Sequence, residues 1–365
     1  MIRTVALDGS PVGVARLLTA LRAALDGTGP AVLPLPAGEA GPDQPELPDT
    51  AAVVLTSGST AGAKGVELSG AALTASATAT HARLGGPGRW LLALPAQHIA
   101  GVQVLVRSIL AGHEPVVMDI SAGFRTQAFG VAARSGAARY TALVPTQLAR
   151  LLDSAARPAL REFDAVLIGG AATAPALLDR ARAAGVRVVT TYGMTETAGG
   201  CVYDGVPLDG VEVRIGAGGR LELTGPVLAS GYLGLPEQTA AAFAGGWFRT
   251  SDVGRLRADG TLEVLGRADD VINTGGVKVS AAAVERAIAA VPGVTEVCVV
   301  GLPDPEWGQR VAAAVIASVR DETAIRDAVR AALGAAAVPR TIRFVDRLPL
   351  RGPGKVDRAA VAASF

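Results

Sequence analysis

The sequence predicts a two-domain α/β fold: a large N-terminal domain of mostly parallel sheets with a β-rich subdomain, then a small C-terminal α/β domain. Three features carry that expectation. From residue 90 to 192 short apolar runs alternate with helix-like segments, the pattern of a largely parallel sheet flanked by helices. From 201 to 265 the rhythm changes to short alternating runs (VEVRI, GRLELTG, GTLEVLG) broken by Gly and Asp, which is how antiparallel hairpins read. After GRADD (266–270) a second, smaller α/β pattern begins, so the domains are set at 1–267 and 268–365.

Each element has a local reason. Ser10-Pro11 opens a helix with an N-cap and a proline at its first position. Val14, Leu17, Leu18, Leu21 and Leu25 form its apolar stripe, and Gly27 stops it. Residues 34–50, rich in Pro, Gly, Asp and Glu, read as a surface loop. AAVVLTS (51–57) is a short apolar run, hence a buried strand. A glycine-rich loop follows; VEL (66–68) is extended, and Ser69 caps a helix to about Arg83. Strands are expected at 90–94, 115–119, 140–144, 165–169 and 186–190, with helices over 99–111, 124–135, 145–153 and 175–184. The last domain should hold a helix from Ser280 to about Ala290, strands VTEVCVVG and RVAAAVIAS, a helix over 321–333, the strand TIRFVD and a short tail helix.

Composition excludes several function classes. Half of the 365 residues are apolar, but much of that is alanine, and no stretch of about 18 apolar residues lacks a charge or proline. Membrane insertion is therefore not expected. MIRTVALDGS has no signal-peptide layout. A formal net charge of +1 without a basic tract gives no footprint for nucleic acid. Cys201 and Cys298 lack metal-ligand spacing, and the histidines at 81, 98 and 113 are scattered. A reducing cytoplasm fits.

Only three of the 34 basic residues are lysines, and each lies in a glycine-bearing segment: Lys64, Lys278 and Lys355. Lysine is a compact point charge on a flexible stem, suited to a single phosphate or carboxylate oxygen. In TSGSTAGAKG (56–65), Thr56, Ser57, Gly58, Ser59 and Thr60 offer hydroxyls and backbone N–H donors at close approach, and Lys64 adds charge. Such a loop can wrap phosphate oxygens; a flexible surface loop is the alternative. The spacing is wrong for GxxxxGK followed by Ser or Thr, and no hydroxyl follows the lysine. In YGMTETAGG (192–200) an aromatic ring can stack on a base, a threonine can bond a phosphate and a carboxylate can hold Mg²⁺, although Thr-Glu is also an ordinary helix start.

These segments resemble the adenylate-forming superfamily, the acyl-CoA synthetases and their relatives. The first is similar to its S/T-S-G-S/T-T-G-x-P-K-G loop, with Ala61 and Ala63 as departures; the second is similar to Y-G-x-T-E. TSDVG (250–254) and GRADD match T-G-D and G-R-x-D-D, with Ser251 in place of glycine. NTGGVKVS (273–280) resembles the loop that serves thioester formation, and LPLRGPGKVDR (348–358) the C-terminal L-P-x-x-x-x-G-K-x-x-R. LPAQHIAGVQVLVRS (94–108) resembles the segment lining the acyl pocket, and IGGAATAP (168–175) the turn beside the adenylate. The match spans about residues 51–358 in the family's order, and a large part of the family's first subdomain is missing from the pattern.

The resemblance implies the following roles. Ser57 to Thr60 and Lys64 hold the β- and γ-phosphates, with Thr56 at the loop's start. Tyr192 and Gly193 flank adenine, with Gly170 and Ala171 beside the nucleotide. Thr195 contacts the α-phosphate, and Glu196 holds the metal. Asp252 binds the ribose hydroxyls, with Arg267 nearby. His98, Gly169, Gly193 and Gly199 line the acyl site; His98 could equally be a half-buried helix cap. Asp269 is the hinge of a mobile C-terminal domain. Gly275, Gly276 and Lys278 form the CoA loop. Lys355 bridges the attacking carboxylate and the α-phosphate, stabilising charge that builds in the transition state.

The implied cofactor is Mg²⁺, the co-substrates are ATP and CoA, and the acyl substrate is a small aromatic carboxylate. Within the superfamily the compact form and the 94–108 segment resemble the actinobacterial ligases that join o-succinylbenzoate to CoA in menaquinone synthesis. Another aryl- or acyl-CoA ligase, an enzyme loading a carrier protein, and a catalytically dead nucleotide-binding regulator are the alternatives. The sequence leaves a homodimer open.

Overall fold

The computed structural model describes residues 2–41, 47–56, 63–268, 270–351 and 355–365, with Arg351 and Lys355 described by their backbone. The chain forms two compact units. The first comprises Met1–Ala171, Ala181–Arg214 and Glu222–Arg249; the second comprises Ala172–Arg180, Ile215–Leu221 and Thr250–Phe365.

The first unit contains a five-stranded and a seven-stranded sheet. In the five-stranded sheet Ile2–Leu7 and Ala31–Pro36 pair in parallel over their whole length, and Thr50–Leu55 and Gly65–Ser69 pair antiparallel. The short strand Gly231–Tyr232 closes the edge antiparallel to Gly65–Ser69. The expected loop over 34–50 therefore begins only after Pro36. Proline lacks an N–H and usually argues against an inner strand. Here the ladder from Ala31–Pro36 to Thr50–Leu55 is reduced to one register pair, Val32↔Ala52, so Pro34 and Pro36 interrupt little.

In the seven-stranded sheet, Trp90–Leu92, Val116–Val117, Tyr140–Leu143, Ala165–Ile168 and Val188–Met194 are parallel. Gly199–Tyr203 then returns antiparallel to Val188–Met194. Trp90, Leu91, Tyr140 and Val166 are fully buried, as expected for strands covered on both faces. The helix Ile99–Leu110 is apolar nearly all round, and its residues Gly101 to Ser108 are buried. Ser10 and Ser69 cap their helices by accepting from Gly13 and Ala72; each such cap contributes about 1 kcal/mol.

In the second unit Val271–Thr274, Val277–Ser280, Val294–Asp304 and Gly308–Ala317 pair antiparallel, and Thr341–Phe344 adds a parallel edge. Side chains alternate across this sheet. Val299, Val311, Ala313 and Val315 meet Val284 and Ile288 of the helix Ala281–Ala289 and Ile325 and Val329 of Glu322–Leu333. Cys298, Val300, Leu302, Ala312 and Ala314 face the other way, where Leu348 and, from the tail helix Arg358–Ala363, Val361 cover them. Both faces are thus buried, at roughly 1.5–3 kcal/mol for each fully buried aliphatic side chain.

Candidate active site

The first unit gathers most of the nucleotide-binding candidates at strand ends. Ser57, Gly58, Ser59 and Thr60 lie outside the described residues, but the base of their loop is visible. Thr56 N–H donates to Lys64 O at 2.9 Å, and Lys64 N–H donates to Thr56 Oγ1 at 3.1 Å. Lys64 Nζ lies 4.6 Å from the centre of the Tyr232 ring.

Gly169 follows the strand Ala165–Ile168, and Tyr192 and Gly193 lie near the end of the neighbouring parallel strand Val188–Met194, with Ile168 in register with Thr190. Ligand sites in open α/β sheets lie at such carboxyl ends. Gly169 is tightly packed there, because a Cβ would stand 2.2 Å from Thr191 Oγ1 and 3.1 Å from Thr191 O. Gly170, at φ +79°, leads into Ala171. Beyond Tyr192, a Cβ on Gly193 would stand 2.1 Å from Gly199 O, so only glycine fits between the strands. The turn Thr195–Thr197 is a single 3₁₀ turn, and Ala198 takes the left-handed conformation at φ 48°. Thr197 Oγ1 holds the turn closed, accepting from Met194 N–H at 3.0 Å and donating to Gly199 O at 2.8 Å. Thr195 is buried.

Glu196 is tied at two points. Its backbone O accepts from Ala229 N–H at 2.9 Å, and its Oε1 accepts from the Tyr232 hydroxyl at 3.0 Å. Burial, and then the Glu196 charge, push the Tyr232 hydroxyl above the usual phenol range, so it remains a donor. Tyr232 was not read as a site residue from the sequence. Its charged partners, Glu196 and Lys64, lie far away in sequence, and its spacing carries no signal.

His98 occupies the N-cap position of Ile99–Leu110 without a capping bond from its side chain. One helical face beyond it meets the glycine segment: a Cβ on Gly199 would stand 3.1 Å from Gln103 Cγ and 3.8 Å from Ile99 Cγ1. Lys64, Glu196, Gly169, Gly193, Gly199 and the His98 helix therefore all belong to one unit.

The remaining candidates belong to the second unit. Asp252 and Arg267, 15 positions apart in sequence, are register partners on adjacent antiparallel strands. The Thr250 hydroxyl donates to Leu221 O at 2.9 Å and accepts from Asp252 N–H at 3.0 Å, fixing the strand before the carboxylate. Asp269 lies outside the described residues. Gly275 and Gly276 form the two-residue turn of the hairpin Val271–Thr274/Val277–Ser280, with φ of 56° and 79°. A turn with both φ values positive suits the strand twist and demands glycine or Asn. Lys278 is exposed opposite Asn273.

Beside that turn is a cavity of about 330 Å³ lined by Gly275, Trp307, Arg326, Arg330 and Arg340, among others. Trp307 packs on Gly275, where a Cβ would stand 2.4 Å from its ring. The Arg340 guanidinium lies 4.3 Å from that ring. Among the described residues the buried Trp307 Nε1 has no hydrogen-bond partner, a state that invites a ligand acceptor. Arg326 and Arg330 are partly balanced by Glu322 and Asp327 on their own helix.

Lys355 begins the second strand of the hairpin Leu350–Arg351/Lys355–Val356. Three residues on, Arg358 anchors this segment. Its guanidinium donates to Glu285 Oε2 at 2.9 Å and Val299 O at 2.6 Å, and lies 3.4 Å from Asp270. Burial raises the Glu285 carboxyl above its ordinary value, and Arg358 opposes that shift.

Mg²⁺ is compatible with this chemistry. Among the described residues no group of three or more His, Cys, Asp or Glu forms a metal cage. Mg²⁺ does not need one, being held commonly by one or two carboxylates plus substrate phosphates. Both cysteine thiols are buried and pushed up to about 12, chiefly by desolvation, so neither supplies a thiolate nucleophile.

The chain matches the model of the AMP-binding enzymes over residues 4–233 and that of the AMP-binding enzyme C-terminal domain over 283–355. It is 48% identical to a probable 2-succinylbenzoate–CoA ligase of Mycobacterium tuberculosis, over 96% of this chain and 95% of that protein. Among solved structures it resembles an amide bond synthetase of Marinactinospora thermotolerans, with TM-score 0.80 and 29% identity over 100% of this chain and 79% of that one. It also resembles o-succinylbenzoate CoA synthetase of Bacillus subtilis in complex with its acyl-adenylate, with TM-score 0.75 and 26% identity over 94% and 80%. No helix of the described residues is long and apolar enough to cross a membrane.

Proposed function

The chain belongs to the AMP-binding enzyme family, and from that premise we propose that it is an AMP-forming ligase that joins 2-succinylbenzoate to CoA for menaquinone synthesis. A carboxylate oxygen of the acid attacks the α-phosphorus of ATP, and the bond to the β-phosphate bridging oxygen breaks. Acyl-AMP and pyrophosphate result. The CoA thiolate then attacks the acyl carbonyl, and AMP leaves with the oxygen it received.

Positioning and charge neutralisation carry the first step, as in phosphoryl transfer. Lys64, with Ser57 to Thr60, holds the distal phosphates. Thr195 and Lys355 meet the α-phosphate, and Asp252 and Arg267 the ribose. Glu196 holds Mg²⁺, which when bound neutralises phosphate charge. Gly169, Gly193 and Gly199 line the acyl site with His98. The Gly275-Gly276 turn serves the second step, with the guanidinium groups of Arg326, Arg330 and Arg340 beside it for the phosphates of CoA.

The single observation that supports the chemistry is the cluster around Tyr232, on the edge strand of the five-stranded sheet, which meets both Lys64 and, just beyond Val188–Met194 of the seven-stranded sheet, Glu196. The acyl substrate is carried over from the relatives. A second reading, transfer to another acceptor, is favoured by the likeness to the amide bond synthetase; one fold serves many acceptors. AMP release should be assayed with o-succinylbenzoate, benzoate and fatty acids, each with CoA, a carrier protein or an amine. Turnover is expected with o-succinylbenzoate and CoA, with kcat/KM at least about 100-fold above the other pairs. Preference for another acid or acceptor would reject the assignment.

A further inference from the structure

We infer that Tyr232 is a positioning residue that sets the phosphate-loop lysine and the metal-holding carboxylate for MgATP. The inference rests on the adenylation reading above.

One side chain meets two oppositely charged groups through different parts of itself. The ring face meets Lys64 Nζ at 4.6 Å, and the hydroxyl donates to Glu196 Oε1 at 3.0 Å. Neither contact consumes charge, because a ring face and a phenol are both neutral. These two contacts therefore hold the ammonium and the carboxylate in place without neutralising either.

Tyr232 is itself held firmly enough to position other groups. It is 8% exposed. Its N–H donates to Thr239 Oγ1 at 2.9 Å, and its strand pairs with Val66, two residues after Lys64. The Phe243 ring meets it edge-on, with centroids 5.8 Å apart. The same segment reaches Glu196 a second time through Ala229 N–H. Packing alone explains a ring at 232, but it does not explain a hydroxyl aimed at this carboxylate. Hydrogen bonds to metal-ligating groups fix their orientation, and their loss typically costs 10–100-fold in metal affinity or activity.

The test needs no turnover. Binding of α,β-methylene-ATP to the full chain is followed by calorimetry as Mg²⁺ is titrated, in wild type, Tyr232→Phe, Tyr232→Leu and the control Phe129→Leu, a buried ring that packs on Phe124 and Phe163. Tyr232→Phe should raise the Mg²⁺ concentration for half-maximal binding about 10-fold, while nucleotide affinity at saturating Mg²⁺ stays near wild type. Tyr232→Leu should in addition weaken nucleotide affinity at saturating Mg²⁺ by about 3- to 30-fold, through loss of the ring beneath Lys64. Phe129→Leu should leave both quantities at wild-type values even if its melting temperature falls. A wild-type Mg²⁺ curve for Tyr232→Phe, or equal shifts in the control, would overturn the positioning role alone. Absence of Mg²⁺-dependent nucleotide binding in the wild type would overturn the adenylation reading with it.

Discussion

At the scale of single residues, the site is built from close approaches that only certain side chains permit. Gly169 and Gly193 let two strands deliver Tyr192 and Glu196 to the sheet's carboxyl end. Lys64 and Glu196 were legible in the sequence because a lysine or carboxylate in a glycine-bearing segment already reports its chemistry. Tyr232 and Trp307 were not, since a tyrosine or tryptophan is equally at home in a core and their partners are brought together only by folding. Another buried cluster makes a prediction about stability. His81 Nε2 accepts from Trp90 Nε1–H at 3.4 Å, and Arg107 lies buried 4.9 Å from the same ring. Desolvation, then the Arg107 charge, lower the His81 pKa from 6.5 to about 4. The unfolded chain therefore binds the proton first, and stability falls as pH drops from 6.5 toward 4. The loss should be on the order of 2–3 kcal/mol by denaturant titration, and His81→Gln should flatten that slope. An unchanged slope in the variant would remove His81 from the account.

At the scale of elements, the helices and central strands lie within a few residues of where periodicity and caps put them. Ser10, Ser69 and Ser280 each cap as their positions suggested. The strand Ala31–Pro36 was hidden by its two prolines, which read as loop until the one-pair ladder beside it is known. Asp252 and Arg267 appeared as two separate motifs; the strand register places them opposite each other. The hairpin bearing Gly275-Gly276 gives the second prediction. If Trp307 Nε1 and its neighbouring arginines receive CoA, Trp307→Phe should raise KM for CoA about 3- to 30-fold, the loss of one hydrogen bond from a buried donor. Pyrophosphate exchange, which needs no CoA, should stay within about twofold on the same scale. Equal losses in both assays would assign Trp307 to folding instead.

At the scale of the whole molecule, composition bounded the answer before any motif did. Near-neutral charge, two isolated cysteines and interrupted apolar runs argued against a nucleic-acid surface, a cysteine metal site and a membrane span, and the length suggested two domains. The ordered segments then pointed to a two-step ligase, and the family and its succinylbenzoate-activating relatives agree with that reading. In the proposed reaction the second unit has two successive tasks, Lys355 for the adenylate and the Gly275-Gly276 turn for the thioester. Arg358, held by Glu285, Val299 and Asp270, anchors the Lys355 hairpin to the rest of that unit. Division of labour between the two half-reactions is the central claim, and Lys355→Ala tests it most directly. Pyrophosphate release from ATP and o-succinylbenzoate should fall at least about 100-fold, as expected for a lost transition-state contact. Conversion of supplied acyl-AMP and CoA to the thioester should persist within about threefold of wild type by the same comparison of rates. A folded Lys355→Ala enzyme that loses both half-reactions equally, or neither, would contradict it.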